Sequence, residues 1–419
     1  MTTDGQPIVL DVEGKDIQGE GARLRERGPA TLVELPGSVR VWAVGGYRGL
    51  RQILSDPRVS RNANEHWSAW KRGEIPEDWP LRIWATVQNM GNAHGREHRR
   101  LRDPVAAAFT AHRTAGLRPQ IERLTAELLD TVAAQPDNEP VDLRKLLAHP
   151  LPVAVISELF GVPDQLRRRL RRTVDVSFDT AATPQQIHAS IAEMFRLLNE
   201  LVAIKRDNPG EDLTTALINA SAQHNGTFTE AELVDTLSLM MVAGHDTTSN
   251  LLDQALTAML THPDQLELVR GGQRPWSDVI EETLRWQAPI PYLPLRYAIE
   301  DIELDGITIG QGEAILSAYA SAGRDRDQYG DTADAFDITR PAKQHLSFGH
   351  GVHHCVGAAL ARLEAEIALA AIFAKFPDLA LAVAPGELTP SRSFLSNGHT
   401  TLPVKRQSPA RPLTRSSRG

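Results

Sequence analysis

A periodic apolar segment that begins at Thr229 and runs to His262–Pro263 constrains the fold more than any other feature of the chain. Thr229 and Glu232 have the spacing of a capping box, in which the two side chains reciprocally satisfy backbone N–H groups of the first turn, and a proline closes the pattern. The predicted helix has about 33 residues, against three to four turns for an average helix. Helical patterns also cover Arg96 to Phe109, Pro119 to Ala134 (Ile121, Leu124, Leu128 and Val132 on one face), Leu151 to Phe160, about Ser277 to Trp286, and Leu360 to Phe376. Strand signals are few. Val39 to Val44 alternates, and Asp305–Gly306 inside DIELDGITIG reads as a hairpin turn. The expectation is a mainly α chain with a small β region and no internal repeats.

Residues 61–95 are irregular and hold four of the seven tryptophans, Trp67, Trp70, Trp79 and Trp84. Such a segment reads either as a lid or pocket wall or as a loop packed on the core. The cluster Arg167, Arg168, Arg169, Arg171 and Arg172 reads as a solvated helix face. The last residues, 406–419, are polar, basic and proline-containing, and are expected to be disordered. With a formal net charge of −8, the chain as a whole gives no reason to expect nucleic acid or an anionic membrane as partner. No apolar run approaches the ~20 residues of a membrane helix, and the acidic start lacks the regions of a signal peptide. A cytoplasmic location is expected. A single cysteine, Cys355, excludes an intrachain disulfide and a cysteine-cluster metal site.

That cysteine follows a glycine-rich loop and precedes a helix, in Phe348-Gly-His-Gly-Val-His-His-Cys355-Val-Gly357. A helix N-terminus favours negative charge, and its free N–H groups suit a sulfur anion. Gly349, Gly351 and Gly357 let the backbone approach something flat and bulky. A buried inert thiol is the plain alternative. A Cys–His hydrolase is another, because His353 and His354 adjoin the thiol, although a catalytic base is usually distant in sequence. Covalent haem would need Cys-x-x-Cys-His, which the chain lacks.

Here the chain resembles the cytochrome P-450 superfamily, whose cysteine-loop motif Phe-Gly-x-Gly-x-His-x-Cys-x-Gly is matched at every fixed position from Phe348 to Gly357. The resemblance extends from about residue 20 to 405 and is nearest in texture to soluble actinomycete members. It implies a single triangular domain, residues 1–405, around a buried, non-covalent haem b whose iron takes Cys355 as axial ligand. Ala243-Gly-His-Asp246-Thr247-Thr248 places poor helix formers in the middle of the long helix. A local departure from regular hydrogen bonding there can open a groove for a small ligand. By the resemblance, Asp246 and Thr247 are the catalytic acid–alcohol pair that delivers protons during oxygen activation. His245 is expected to pack or support.

Glu282 and Arg285 share a helix face; the resemblance makes them a buried pair that holds the cysteine loop. The third arginine of the family pattern falls on Ala335, which leaves Arg340 or Arg324 as substitutes. His98, Arg102, Arg296 and His353 match the positions that hold the haem propionates. The usual acidic–Pro–Pro lead-in to His98 is replaced by Asn92-Ala-His-Gly-Arg. By position alone, Trp84, Val87, Met90, Val242, Ala243, Leu293 and Phe394 line the substrate pocket. Their apolar character predicts a lipophilic substrate of steroid or polyketide size.

The implied reaction inserts one oxygen atom of O2 into an unactivated carbon, giving an alcohol or epoxide. No flavin or nicotinamide fingerprint is present, so electrons are expected from a ferredoxin and its NAD(P)H-dependent reductase. Arg96 to Arg102 carries four arginines and one glutamate and is the expected docking helix, with Arg96, Arg99 and Arg100 toward solvent. A peroxide-driven peroxygenase and a haem-based sensor are the competing classes; the Asp246–Thr247 pair speaks against both.

Overall fold

The structure, a computed structural model, describes residues 6–137, 139–177, 182–223 and 228–406. The tail beyond 406 lies outside the described residues.

The helices that frame the interior are α1 (Tyr47–Ser55), α2 (Gly95–Ala108), α3 (Arg118–Ala133), α4 (Pro150–Leu159), α5 (Asp164–Ser177), α6 (Pro184–Asp207), α7 (Glu230–Thr261), α8 (Trp276–Trp286) and α9 (Ala358–Lys375). Helix α7 is the long segment read from the sequence. Its capping box forms as expected: the Glu232 amide donates to Thr229 Oγ1 (3.2 Å) and the Thr229 amide to Glu232 Oε2 (2.8 Å). It packs against α4, α5, α6, α8 and α9. Contact on so many sides explains why its buried residues, among them Leu233, Met240, Leu251 and Met259, do not form one stripe.

The β region lies to one side. Strands β1 (Ile8–Val9), β2 (Thr31–Leu35), β3 (Val39–Val44), β4 (Val59–Ser60), β5 (Tyr292–Ala298) and β6 (Ala314–Ala318) form one sheet in the order β1-β2-β3-β6-β5-β4. The hairpin Ile302–Leu304/Ile307–Ile309 turns at Asp305 and Gly306, both at positive φ (48° and 86°), the geometry that Asp-Gly supplies. A short sheet joins Val141–Asp142, Ala380–Leu381 and Pro403–Lys405.

Residues 61–95 contain only short helical turns. Trp67 and Trp79 are buried in the core beside the sheet, with Trp70 stacked on Trp67 and Arg82 over Trp70. The segment therefore packs on the core through these residues and forms a wall through Trp84, described below. Among the described residues no helix is long and apolar enough to cross a membrane.

Candidate active site

A cavity of about 300 Å³ lies between α7 and the cysteine loop. Cys355 is accessible although it sits deep in the molecule, because the surface it exposes is the cavity wall. The loop that presents it needs glycine. Gly349 and Gly351 lie at φ +72° and +71°, and a Cβ on Gly351 would come within 2.7 Å of the Leu54 carbonyl at the end of α1. The Cys355 amide closes the loop on the Phe348 carbonyl (2.8 Å). Burial pushes the thiol pKa up, and the N–H groups of Gly357 and Ala358, at the start of α9, oppose that shift together with Arg102 and Arg362. The site is thus equipped to hold a sulfur anion once a cation is supplied.

Helix α8 is bonded to the start of this loop, where Ser347 Oγ donates to the Leu284 carbonyl (2.5 Å). Arg285 makes a two-pronged bond to Glu282 (2.8 and 2.7 Å), both side chains being wholly buried. Its other donors go to the carbonyls of Gly323, Ala333 and Ala335. Ala335 leaves no gap, because Arg340, five residues on, reaches Glu282 (3.4 Å) and bonds the carbonyls of Thr332 and Ala335. Arg324 instead lies over Trp286 and bonds that residue's carbonyl. A second clamp, not read from the sequence, starts at Glu281. It binds His345 before the cysteine (3.1 Å) and Arg362 after it (2.6 and 3.0 Å), while Arg362 covers Phe348. Burial pushes the Glu281 carboxyl up, yet these two partners hold it down at about 2.

The opposite wall is the middle of α7. Ala243, Gly244, Thr247 and Thr248 line the cavity, and Gly244 lets the tip of Ile156 pack close against α7, where a Cβ would meet it at 2.9 Å. The helix continues without a break through this point; the perturbation is a hydroxyl, Thr247 Oγ1, bonding the Ala243 carbonyl at 2.7 Å. Asp246 turns the other way. Its Oδ2 accepts from Ser396 Oγ (2.7 Å) and Asn250 Nδ2 (2.9 Å), and Arg144 lies 4.0 Å from Oδ1. Burial raises the Asp246 pKa against the pull of Arg144, Ser396 and Asn250. His245 is buried with its ring edge-on to His149, a packing position.

A basic rim completes the cavity. His98 and His353 lie ring to ring at 4.1 Å, Arg102 donates to the His354 carbonyl (2.6 Å), and Arg296 lies buried beside them. Burial, then Arg102, lowers His98 to about 4, and burial lowers His353 strongly. His98 Nε2 and Arg296 Nε are buried without a hydrogen-bond partner. Arg61, absent from the sequence reading, shares this property and lines the same cavity. Its only sequence signal is a cation directly after a short strand. Buried donors without acceptors are costly, and here they surround an apolar space with one thiol in its wall. That donor set fits a flat macrocycle carrying two carboxylates and a metal, which is haem.

A second chamber of about 110 Å³ adjoins the first; Arg61, Trp84, Gly91, Leu239 and Val242 border both. Met90, Ala243 and Leu293 line the larger chamber and Val87 the smaller one. Phe394 is a correction. It is fully buried against Tyr292, and its neighbour Leu395, in the same bend, faces the smaller chamber. Arg100 is another: it is engaged by Glu97 and Glu232, leaving Arg96 and Arg99 as the exposed arginines of α2.

Comparison with known proteins agrees with this geometry. The family model described as Cytochrome P450 matches residues 178–271 and 276–387. The chain is 41% identical to the 2-hydroxy-5-methyl-1-naphthoate 7-hydroxylase of Streptomyces carzinostaticus, covering 98% of this chain and 100% of that one. It is 36% identical to the 6-deoxyerythronolide B hydroxylase of Saccharopolyspora erythraea, covering 92% and 94%. Among solved structures, CYP154A1 from Streptomyces coelicolor A3(2) superposes with a TM-score of 0.91 at 48% identity, covering 96% and 100%.

Proposed function

The chain belongs to the cytochrome P450 family and is a haem-thiolate monooxygenase, and from that premise we propose that it hydroxylates or epoxidises a lipophilic substrate of steroid or polyketide size. In this reading residues 1–405 are one haem domain, the cofactor is haem b, and Cys355 is its axial ligand. A ferredoxin and its NAD(P)H-dependent reductase supply electrons in the cytoplasm. The observation that carries the reading is the lone thiol, held in a glycine-built loop, facing Thr247 across an apolar cavity with a basic rim.

The bound group supplies the redox chemistry of oxygen, and a thiolate ligand favours O–O cleavage. The chain supplies position and protons. His98, Arg102, Arg296 and His353 orient the propionates. Trp84, Met90, Val242 and Leu293 exclude water and hold an apolar substrate. Asp246 Oδ1, the oxygen left free by Ser396 and Asn250, takes up a proton, which its raised pKa favours. Thr247 Oγ1 releases the Ala243 carbonyl and passes a proton into the cavity. Two hydroxylases among the relatives act, by name, on a naphthoate and on 6-deoxyerythronolide B, which supports the substrate class.

The test of ligation is the spectrum of the reduced protein with carbon monoxide. The red-shifted band of thiolate ligation is expected, and Cys355→Ser should abolish it. A Ser variant that keeps the band would refute the assignment.

A further inference from the structure

The basic rim holds one cation more than the family pattern supplies. Strand β4 pairs Val59 with Ala298 and Ser60 with Tyr297 of β5. Continued by one residue, this antiparallel register sets Arg61 opposite Arg296, and the alternation of strand side chains puts both on the face that borders the cavity. Both are buried, at 6% and 2% exposure. Both have a buried Nε without a hydrogen-bond partner, and among the described residues neither forms an ion pair with a carboxylate. Arg61 gives one bond, from Nη2 to the Pro294 carbonyl (3.3 Å), which leaves most of its five donors unspent.

Two like charges opposite each other in a sheet are destabilising, and burying an unpaired charge is costly. Burial, then Arg296, lowers the Arg61 pKa to about 10. Arg61 and Arg296 thus form a cationic corner beside His353, with no carboxylate of the described residues paired to it. A planar guanidinium with most of its donors unspent can take a carboxylate in two-pronged fashion.

We propose that Arg61 is a further anchor of a haem propionate, gripping it beside Arg296. This rests on the haem-thiolate reading of the same cavity. Because Arg61 also borders the smaller chamber, a carboxylate on the substrate is the competing occupant, and the experiment separates the two.

The holoproteins of Arg61→Gln, Arg61→Lys and Arg296→Gln are compared with the parent in two assays, haem transfer to excess apomyoglobin and the ferric/ferrous potential. Loss of a charged hydrogen-bonding anchor should speed haem loss roughly tenfold in Arg61→Gln, and loss of a cation should lower the potential. Arg61→Lys keeps the charge but not the fork, so its potential should stay near the parent's while haem loss is intermediate. Should Arg61→Gln not accumulate as holoprotein, the same pattern in Arg61→Lys decides. Parent-like haem loss and potential in Arg61→Gln, with faster loss in Arg296→Gln, would overturn the proposal and leave the haem reading intact. Parent-like haem retention with a lost spectral response to added 1-naphthoate would also overturn it, by assigning Arg61 to substrate. If Arg296→Gln too retains haem like the parent, the underlying reading of the rim fails instead.

Discussion

Asp246 and Thr247 adjoin in sequence but face different surroundings, and this separates their expected phenotypes. Thr247 Oγ1 is in the cavity wall, so Thr247→Ala leaves the fold and haem binding in place and removes only a hydroxyl. Turnover should continue with product per reductant consumed falling several-fold and peroxide rising. Asp246→Asn keeps the shape that Ser396 and Asn250 recognise but removes the charge, and should slow turnover itself by roughly the hundredfold typical of a lost acid–base group. Unchanged coupling in both variants would remove the proton role from the pair. Glu364, on α9, has a different consequence. It is buried, borders the cavity, and burial alone raises its carboxyl to about 8 from an ordinary 4.5. Between those two values the folded chain keeps a proton that the unfolded chain has released. Stability from this group is therefore complete below 4.5 and declines as pH rises toward 8, by up to ~1.4 kcal/mol per pH unit. Glu364→Gln should flatten that decline, measured as denaturant midpoints from about pH 5 to about pH 8. Parallel pH curves for parent and variant would show that Glu364 is ionised in the folded protein.

At the scale of elements, helix α8 and the cysteine loop behave as one unit. Glu281 ties the segment before Cys355, through His345, to the helix after it, through Arg362. Glu281→Gln breaks two charged bonds in a part-buried position and should cost about 1–3 kcal/mol. The variant's carbon monoxide band should convert to that of lost thiolate ligation faster than the parent's on mild heating. An equal conversion rate would mean that Glu281 does not hold the loop in place. The contrast between the two clusters shows what a sequence discloses. Long, strongly periodic helices such as α7 and α9 were legible because burial imposes their pattern, and the cysteine loop because positive φ demands glycine at 349 and 351. The choice of Arg340 over Arg324, the Glu281 clamp and the Arg61–Arg296 juxtaposition were not legible, since each depends on which residues distant segments bring together. Phe394 failed for a related reason: it lies in a bend, where no periodic pattern tells which of two neighbouring residues faces the chamber.

For the molecule as a whole, the distribution of charge matters more than its sum. Against a net charge of −8, α2 exposes Arg96 and Arg99, while Arg100 is neutralised by Glu97 and Glu232. The cysteine loop reaches the surface near this helix, where Arg102 holds the His354 carbonyl, and it exposes Val352 at 67%, one of two large apolar residues so exposed among the described residues. A small apolar contact beside exposed cations, on the side of the molecule nearest the thiol, suits an acidic electron donor. Long-range attraction would steer it and salt would screen it. Arg96→Glu with Arg99→Glu should slow reduction by a ferredoxin about tenfold at low salt and weaken the dependence of that rate on ionic strength. Haem spectrum and substrate affinity should stay unchanged, since neither arginine lines a chamber. Arg100→Glu is the informative contrast. It strands Glu97 and Glu232 and loosens the junction of α2 with α7, so its effect should appear as lost stability. Equal reduction rates for the double variant and the parent at low salt would move the docking surface away from α2. A slowed rate with undiminished salt dependence would mean that the two arginines act on something other than steering.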